Sequence, residues 1–295
     1  MNAFHTLVTH PGSAHKDEVL ACSVLLATRA VPIVRREPKP DDLSDPLICV
    51  VDVGHRHEPA LNNFDHHQFP KDTPPTCSLS LVLQHLGLYT AAREFCEWLE
   101  PTEWFDARGP FTTADWLGVD RNILARLNSP IDVTLLKRFS EVTALRPGDP
   151  LWEFLRMIGE DLLTFIRGLS DRLNLLGQIA EFWELPSFLG PSVQALFLPR
   201  TEIPLEDPSM GLDRFIERAG RTSVVAALIY PDRRGGGYGL SRFRDDARMD
   251  FTRISTYPDV HFAHARGFVA KTSAASPARL RELLQAALVP PAGPS

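Results

Sequence analysis

The sequence predicts an α/β fold with two domains, and two observations support this prediction. Leu47–Val53 (LICVVDV) is almost wholly apolar, which is typical of a strand buried on both faces of a parallel sheet. Apolar runs of this kind alternate with segments of helical apolar spacing, as in an open sheet covered by helices. We therefore expect a parallel-sheet domain over residues 1–188 and a smaller mixed α/β domain over residues 192–295, with Pro186–Pro191 as the linker.

The N-terminal elements follow from local spacing. Thr6–Val8 is a short apolar run and predicts a strand, and the glycine-containing turn His10–Ser13 follows it. Asp17–Ala30 has the apolar spacing of a helix. Ile33–Arg36 is a second candidate strand, and Leu47–Val53 is the third.

The remainder of the chain is predicted more coarsely. Ser78–Leu88 has helical periodicity, and Ala92–Glu184 is mostly helical, with Leu151–Leu176 as the longest amphipathic segment. Pro277–Leu288 predicts a closing helix, and Pro290–Ser295 a frayed tail. The C-terminal domain should contain four strands, at Ser192–Phe197, Val224–Ile229, Tyr238–Leu240 and His261–Val269.

Composition and charge narrow the class of protein. The chain has 295 residues, of which 44% are hydrophobic and 23% charged, an ordinary soluble composition. No stretch reaches the ~18 uncharged apolar residues of a membrane span, and the four separated cysteines are typical of reduced thiols. We expect a cytoplasmic protein without a membrane partner.

The charge is divided unevenly along the chain. Residues 1–190 carry 17 basic and 26 acidic side chains, whereas residues 191–295 carry 14 and 11, which gives net charges of −9 and +3 and a total of −6. An acidic, metal-collecting half next to a mildly basic half would suit an anionic substrate held between them.

Three polar clusters fall where the predicted strands of the first domain end. The first is Thr9–Glu18, with two imidazoles and two carboxylates on a strand-to-helix turn, and the second is Asp52. The third is Asp65-His66-His67. Ligands of an open sheet bind beyond the carboxyl ends of its strands, so the clusters should share one rim. They could hold two divalent ions, whose natural chemistry is hydrolysis of a phosphoester.

In these motifs the chain resembles the DHH phosphoesterase superfamily, and within it the MYG-type metal-dependent 3′–5′ exonucleases. The resemblance depends on Thr9-His10-x4-His15-x-Asp17-Glu18, on Val50-Val51-Asp52-Val53-Gly54 and on Phe64-Asp65-His66-His67-Gln68, in that order. A further similarity lies at His261–Phe268, followed by Lys271-Thr272, which looks like the family's His-x-x-Gly-Phe segment. The resemblance as a whole implies a DHH-type N-terminal domain, a C-terminal substrate-binding domain and an active site in the cleft between them.

The resemblance also implies roles for single residues. His67 would contact the scissile phosphate or protonate the leaving group, and Asp65 would orient an imidazole. One ion would be held by His10, His15 and Asp52. The other would be held by Asp17, Asp52 and His66. The substrate would be contacted by His264, Arg266, Gly267 and Lys271.

The superfamily has a fourth metal-site aspartate, for which Asp106 is the candidate here. Where MYG-type proteins carry an Asp-Asn-Gly run, this chain has Asp106-Ala107-Arg108-Gly109, and the glycine pair after the C-terminal Gly-Phe is replaced by Val269-Ala270-Lys271. The alternative for Asp106 is a helix-capping or turn aspartate before Gly109.

The leading hypothesis is a metal-dependent phosphodiesterase that removes nucleotides 3′ to 5′ from an RNA or DNA end. It would use two Mn²⁺ ions, with Mg²⁺, Fe²⁺ or Zn²⁺ as alternatives. One alternative function is hydrolysis of a small phosphoester or pyrophosphate by the same ligands. Another is a non-catalytic module that binds nucleic acid or protein. The oligomeric state is left open, with a homodimer as one option.

Overall fold

The computed structural model describes residues 3–126, 129–186, 192–202 and 205–290, and the chain divides into two compact units, residues 1–168 and 169–295. The division falls inside a long helix. The linker predicted at 186–191 and the tail predicted from residue 290 lie, except for Pro186 and Pro290, outside the described residues. The predicted domain boundary at residue 188 and the cleft between the domains stay predictions.

The first unit is built on a six-stranded sheet with the order β4-β5-β3-β1-β2-β6. The neighbours β5, β3, β1 and β2 run parallel, whereas β4 and β6 pair antiparallel at the two edges. The expected parallel sheet is therefore correct for the centre, and the sheet as a whole is mixed. The strands are β1 (Thr6–Thr9), β2 (Ile33–Arg35), β3 (Ile48–Val51), β4 (His57–Glu58), β5 (Asn63–Phe64) and β6 (Ala144–Leu145).

Helices cover this sheet. Along the described chain they are α1 (Lys16–Thr28), α2 (Ser78–His85), α3 (Tyr89–Phe95), α4 (Leu99–Leu117), α5 (Arg121–Arg126), α6 (Pro130–Ser140) and α7 (Pro150–Ile179). The main apolar core joins α1, α2 and the start of α7 to one side of β1 and β3, through side chains such as Leu7, Leu25 and Trp152. Val8 and Val50 form a second, smaller cluster with Leu43. Because both sets are buried, β3 is covered on both faces, as its apolar run predicts.

The strand order creates a crevice next to β1. The chain passes from β1 through α1 to β2 on one side, and then returns across β1 to β3 on the other side. At such a switch point the connections leave in opposite directions, and a ligand site forms outside the carboxyl ends of the two strands. The residues that follow β1 and β3 are therefore placed side by side.

The second unit contains a six-stranded sheet with the order β11-β12-β10-β9-β8-β7, in which only β8 and β9 are parallel neighbours. It agrees with the expected mixed α/β domain. Its described part contains the end of α7 and two whole helices, α8 (Leu212–Arg218) and α9 (Pro277–Ala287). The strands are β7 (Glu181–Leu185), β8 (Val193–Phe197), β9 (Val225–Pro231), β10 (Tyr238–Arg242), β11 (Val260–Ala263) and β12 (Val269–Thr272).

Two sequence predictions about strands were wrong. Glu181–Leu185 lies largely in the segment that the sequence predicts to be mostly helical, but it is β7, with Trp183 and Leu185 buried and its whole length paired to β8. His261–Val269 was predicted as one strand, but it is a hairpin of β11 and β12 that turns at Gly267, whose φ is +68°. No described helix is long and apolar enough to cross a membrane.

Candidate metal centre

The turn after β1 carries three of the predicted ligands. His10 follows the last residue of β1, His15 is the residue that caps α1, and Asp17 lies in the first turn of α1. Nδ1 of His10 lies 2.9 Å from the carbonyl oxygen of Pro11. Because a carbonyl can only accept, Nδ1 must carry hydrogen, and Nε2 is the atom that faces the centre.

Asp52 follows β3 and lies between the other clusters. Its side chain is buried, with Oδ1 3.3 Å from Nε2 of His66 and Oδ2 3.6 Å from Nε2 of His10. Its φ is +60°, a left-handed conformation that aspartate and asparagine tolerate better than most residues. The backbone N–H of Asp52 donates to the carbonyl oxygen of Phe64 on the neighbouring strand (3.0 Å), which fixes this conformation.

The adjacent histidines after β5 face different surroundings. Nε2 of His66 is buried, 2.7 Å from Oδ2 of Asp106. The side chain of His67 is about half exposed, and its Nδ1 lies 2.7 Å from Oδ1 of Asp65. Asp65 also accepts from the backbone N–H groups of His67 (3.1 Å) and His55 (2.6 Å). Both of its oxygens are therefore occupied, and Asp65 orients the imidazole of His67.

Asp106 lies within α4, three residues before a break in the helix at Gly109. Its Oδ1 is 3.6 Å from Nδ1 of His15, in addition to the contact of Oδ2 with His66. One turn earlier, the buried carboxylate of Glu103 accepts from Ser80 Oγ (2.6 Å) and from the hydroxyl of Tyr89 (2.7 Å). These bonds fix α4 against its neighbours, and they direct the face that carries Asp106 toward the centre.

The six predicted ligands form two groups that share Asp52. Within each group the candidate donor atoms lie within 4.8 Å of one another. One group is His10, His15 and Asp52. The other is Asp17, Asp52, His66 and Asp106. A further group of Asp52, Asp65, His66 and His67 meets the same distance, but the hydrogen bonds of Asp65 make it less available as a donor.

The second group passes a direct test of fit for a cation. Each of its members has one buried atom that makes no hydrogen bond of acceptable geometry within the described chain: Asp17 Oδ1, Asp52 Oδ1, His66 Nε2 and Asp106 Oδ2. Buried polar atoms are almost always satisfied, and these four lie close together with three carboxylates among them, which is the donor set that a divalent cation requires. Carboxylate oxygens with an imidazole suit Mn²⁺, Fe²⁺ or Zn²⁺.

The ionisation of the centre supports this assignment. Burial raises the pKa of Asp17 well above its ordinary value, and the charges of Asp52 and Asp106 raise it further. Burial likewise raises the pKa of Asp52. Burial acts to lower the pKa of His66, but its contacts with Asp106 and Asp52 prevail and raise it to about 10. Without a cation, the centre therefore holds protons that a metal ion could replace.

His67 and Asp65 form a hydrogen-bonded pair at the edge of the centre. The hydrogen bond to Asp65 raises the pKa of His67. Burial acts to raise the pKa of Asp65, but the hydrogen bonds from His67 and His55 outweigh burial and lower it. A cleft of about 330 Å³ opens here, lined by His10, His15, Asp52, Asp65 and His67 among others. His67 therefore borders space in which a substrate could lie.

The predicted substrate residues all belong to the second unit. The ring of His264 packs against that of Phe268 at a tilt, with 4.1 Å between the ring centroids, and its Nδ1 accepts from the backbone N–H of Arg266 (3.1 Å). At Gly267 a Cβ would lie 2.0 Å from Oδ1 of Asp250, so the turn requires glycine. Nζ of Lys271 on β12 lies 2.8 Å from Oδ1 of Asp232. The first three share one turn, and the contact of all four with substrate stays a prediction.

Sequence reasoning missed two residues that shape the centre, Glu18 and Arg35. Glu18 belongs to the Thr9–Glu18 cluster, but no role was assigned to it. It is fully buried, and its Oε2 lies 3.0 Å from Nε2 of His10. Its hydrogen bond raises the pKa of His10 to about 9. Its place three residues after His15 matches a helix-capping pattern, a signal that could have found it. The sequence identifies Arg35 only as part of a short candidate strand, Ile33–Arg36.

One family model matches the segment of the chain that carries most of the candidate ligands. The family model named MYG1_exonuc and described as "Uncharacterised protein family (UPF0160)" matches residues 6–92. The match supports this family for the metal-site segment. It covers 87 of the 295 residues, and it includes every candidate ligand except Asp106.

A solved DHH domain, described as a member of the s1p family of ribosomal proteins, is similar to the chain with 14% identity and a TM-score of 0.31. The alignment covers 96% of this chain and 85% of that one. No curated protein matches the chain.

Proposed function

We propose that the protein is a metal-dependent phosphoesterase with a centre for two divalent ions. The observation that carries this proposal is the pair of ligand groups that share Asp52, together with the four buried donor atoms that make no hydrogen bond of acceptable geometry within the described chain. The family model's name, which points to an exonuclease, supports the same class of reaction. A protein that only bound nucleic acid would gain nothing from burying so many carboxylates, since each is costly without a cation.

The residues that would hold the ions are the two groups already defined, with Mn²⁺ as the first candidate. Two such ions supply charge neutralisation at a phosphoryl group and activation of a water for in-line attack. Asp52 fixes the position of both groups, because it is their shared member and its backbone is anchored to β5. His66 and Asp106 are further members of the second group, and the donor atom of each is buried.

His67 is the candidate proton donor. Its Nδ1 is bonded to Asp65, so the exposed edge of the ring, which carries Nε2, is left for the cleft. Because Asp65 raises its pKa, the ring tends to keep its proton near neutral pH, as donation to a leaving oxygen requires. We expect His67→Gln to lower the turnover of substrate about 100- to 10,000-fold, while Mn²⁺ binding stays unchanged.

We propose an RNA or DNA end, shortened 3′ to 5′, as the substrate. The family model's name and the similarity of the His261–Phe268 segment support this choice, and so does the net charge of +3 over residues 191–295. His264, Arg266, Gly267 and Lys271 are the proposed substrate contacts.

One observation favours a second candidate, a small phosphoester or pyrophosphate. The described residues that line the cleft include no lysine or arginine. A polymer backbone is usually followed by such cations, whereas a small anion can be neutralised by bound metal ions alone.

The test is Mn²⁺-dependent digestion of RNA and DNA that carry a label at the 3′ or the 5′ end, with pyrophosphate and short oligonucleotides in parallel. Asp52→Asn and His66→Gln should abolish the reaction, and Asp72→Asn, an exposed aspartate outside the centre, should not. Stepwise loss of 3′ nucleotides supports the exonuclease, and cleavage of pyrophosphate alone supports the small-molecule enzyme. Equal trace activity in the wild type and both site variants would refute the proposal that the protein is an enzyme.

A further inference from the structure

A buried ion pair lies directly behind the turn that carries His10 and His15. Glu18 and Arg35 are both almost fully buried, and Nη2 of Arg35 donates to Oε1 of Glu18 at 3.2 Å. A buried pair of this kind contributes little stability compared with apolar side chains of the same size. The contacts of the pair point to another role.

Among the described residues, the other polar partners of the Glu18 carboxylate lie at the end of β1 and on the turn that follows it. Its Oε1 accepts from Thr9 Oγ1 at 2.9 Å, and its Oε2 accepts from the backbone N–H of His15 at 3.3 Å. Oε2 also lies 3.0 Å from Nε2 of His10. One carboxylate thus fixes the end of β1, the start of α1 and the imidazole of a candidate ligand.

Arg35 fixes the backbone between the two histidines. Nη1 donates to the carbonyl oxygen of Gly12 at 3.2 Å, and Nη2 donates to that of Ser13 at 3.2 Å. Nη1 also donates to the carbonyl oxygen of Phe139 on α6 (2.9 Å), and the guanidinium stacks over the ring of this residue at 4.6 Å. The turn is therefore attached to β2 and α6 through one planar group.

We propose that Arg35 and Glu18 are positioning residues that set the distance between His10 and His15 and thereby the affinity of the His10–His15–Asp52 group for its ion. This inference rests on the proposed function, and it deepens it by separating the control of the two ions. Neither residue belongs to the groups of possible donors found among the described residues. Their action passes through the turn.

The second ligand group has its own anchors. Asp17 Oδ2 accepts from Ser78 Oγ at 2.8 Å and from the backbone N–H of Ser78 at 3.3 Å. Asp106 is fixed through Glu103 on α4. Because these bonds do not pass through Arg35, a change at Arg35 should affect the first group alone.

Lysine cannot replace arginine in this role. Arg35 needs two nitrogens in one plane to reach the carbonyl oxygens of Gly12 and Ser13 and the carboxylate together. An ammonium group keeps the charge, but it is a single point without the planar fork. Loss of a residue that orients a metal ligand typically lowers metal affinity about 10- to 100-fold.

The experiment is Mn²⁺ titration of the full chain by calorimetry and by electron paramagnetic resonance, for the wild type, Arg35→Lys and Arg36→Lys. Arg36 is the matched control, since it is adjacent but pairs with Asp42 outside the centre. We expect two ions in the wild type and in Arg36→Lys. In Arg35→Lys one ion should bind about 10- to 100-fold more weakly, the other should be unchanged, and the spectrum of two neighbouring ions should give way to that of one.

Equal affinity for both ions in Arg35→Lys and the wild type would overturn the proposal, and so would a similar weakening of both ions, which would indicate a general loss of structure. If the wild type binds no Mn²⁺, the proposed function itself fails, and this result is distinct from the other two. Should Arg35→Lys not fold, Glu18→Gln serves as the second variant. It keeps the shape of the side chain, and the selective loss of one ion is again the expected result.

Discussion

Asp52→Asn should reverse the order of stability between the metal-free and the metal-loaded protein. Without metal, Asp52 is a carboxylate that is 2% exposed, close to Asp106 and Asp17, and its pKa is raised by burial. A carboxyl group whose pKa is raised by folding costs stability at every pH above its ordinary value of 3.8. Asparagine has the same shape, tolerates a φ of +60° and carries no charge. We expect the variant to be more stable than the wild type in EDTA by about 1–3 kcal/mol.

Metal binding should change this order. A ligand at 100 times its dissociation constant stabilises the folded state by about 2.7 kcal/mol for one site. The wild type should gain at least this much from Mn²⁺, which corresponds to a rise in melting temperature of roughly 5–10 °C for a unit of this size. Asp52→Asn should gain little, because the replaced carboxylate is the donor that both groups share.

The assay is hydrogen exchange of the amides in β1 and β3, measured against urea with EDTA or with Mn²⁺. Exchange in these strands reports unfolding of the first unit even if the second unit unfolds separately. Asp72→Asn should follow the wild type in both conditions. A less stable variant in EDTA that still gains as much from Mn²⁺ as the wild type would refute the reasoning that Asp52 is held for a cation.

Three further predictions concern α7, β4 and α4. Gly159→Ala should lower the free energy of unfolding by about 1–3 kcal/mol, because the new Cβ would lie 1.9 Å from the carbonyl oxygen of Ser23. On the same helix, the new Cβ of Gly168→Ala would meet open space, so this variant should raise the free energy of unfolding by about 0.5–1 kcal/mol. Urea unfolding measures both changes. Burial lowers the pKa of His57. The stability that its neutral ring contributes is therefore complete above pH 6.5. It is lost as the pH falls below 6.5, because the unfolded chain takes up the proton before the folded chain does. His57→Phe should flatten this loss in urea titrations at a series of pH values. Asp106→Asn should lose one Mn²⁺ and keep the other in calorimetry, since Asp106 belongs to only one group.

Each of these has a clear contrary outcome. Equal effects of alanine at Gly159 and Gly168 would show that the close approach to Ser23 relaxes without cost. An unchanged pH dependence in His57→Phe would assign that slope to other groups. Retention of two ions at wild-type affinity in Asp106→Asn would remove Asp106 from the ligand set and favour its role as a purely structural residue of α4.

The sequence predicts an element best where the apolar pattern of one segment is sufficient to identify the element. The apolar run Leu47–Val53 required burial on both faces, and β3 is covered on both. The amphipathic segment Leu151–Leu176 is contained in α7, Pro150–Ile179. In both cases the pattern is long enough for burial to outweigh local propensity.

The signals that failed were short or depended on distant residues. β4 and β5 have two residues each and cannot show a periodicity. Asp106 is a candidate ligand through the family resemblance alone, because nothing in its own segment reveals that Glu103 bonds to Ser80 and Tyr89. Arg35 acts on Gly12 and Ser13, more than twenty positions earlier, and such contacts exist only after the sheet has formed.

The difference between local and long-range signals also explains why the sequence predicts the candidate metal ligands but not the residues that position them. A metal ligand has to be of a particular chemical type, so His10, His15 and Asp52 stand out wherever they occur in a pattern. A supporting residue has only to present a donor at the right point, and the fold can supply it from any neighbouring strand. In this chain Arg35 does so because β2 lies directly beside β1 in the sheet. The switch point that opens the crevice at the end of β1 is created by the chain's passage to β2 and back, so the same topology supplies the site and the residue that supports it.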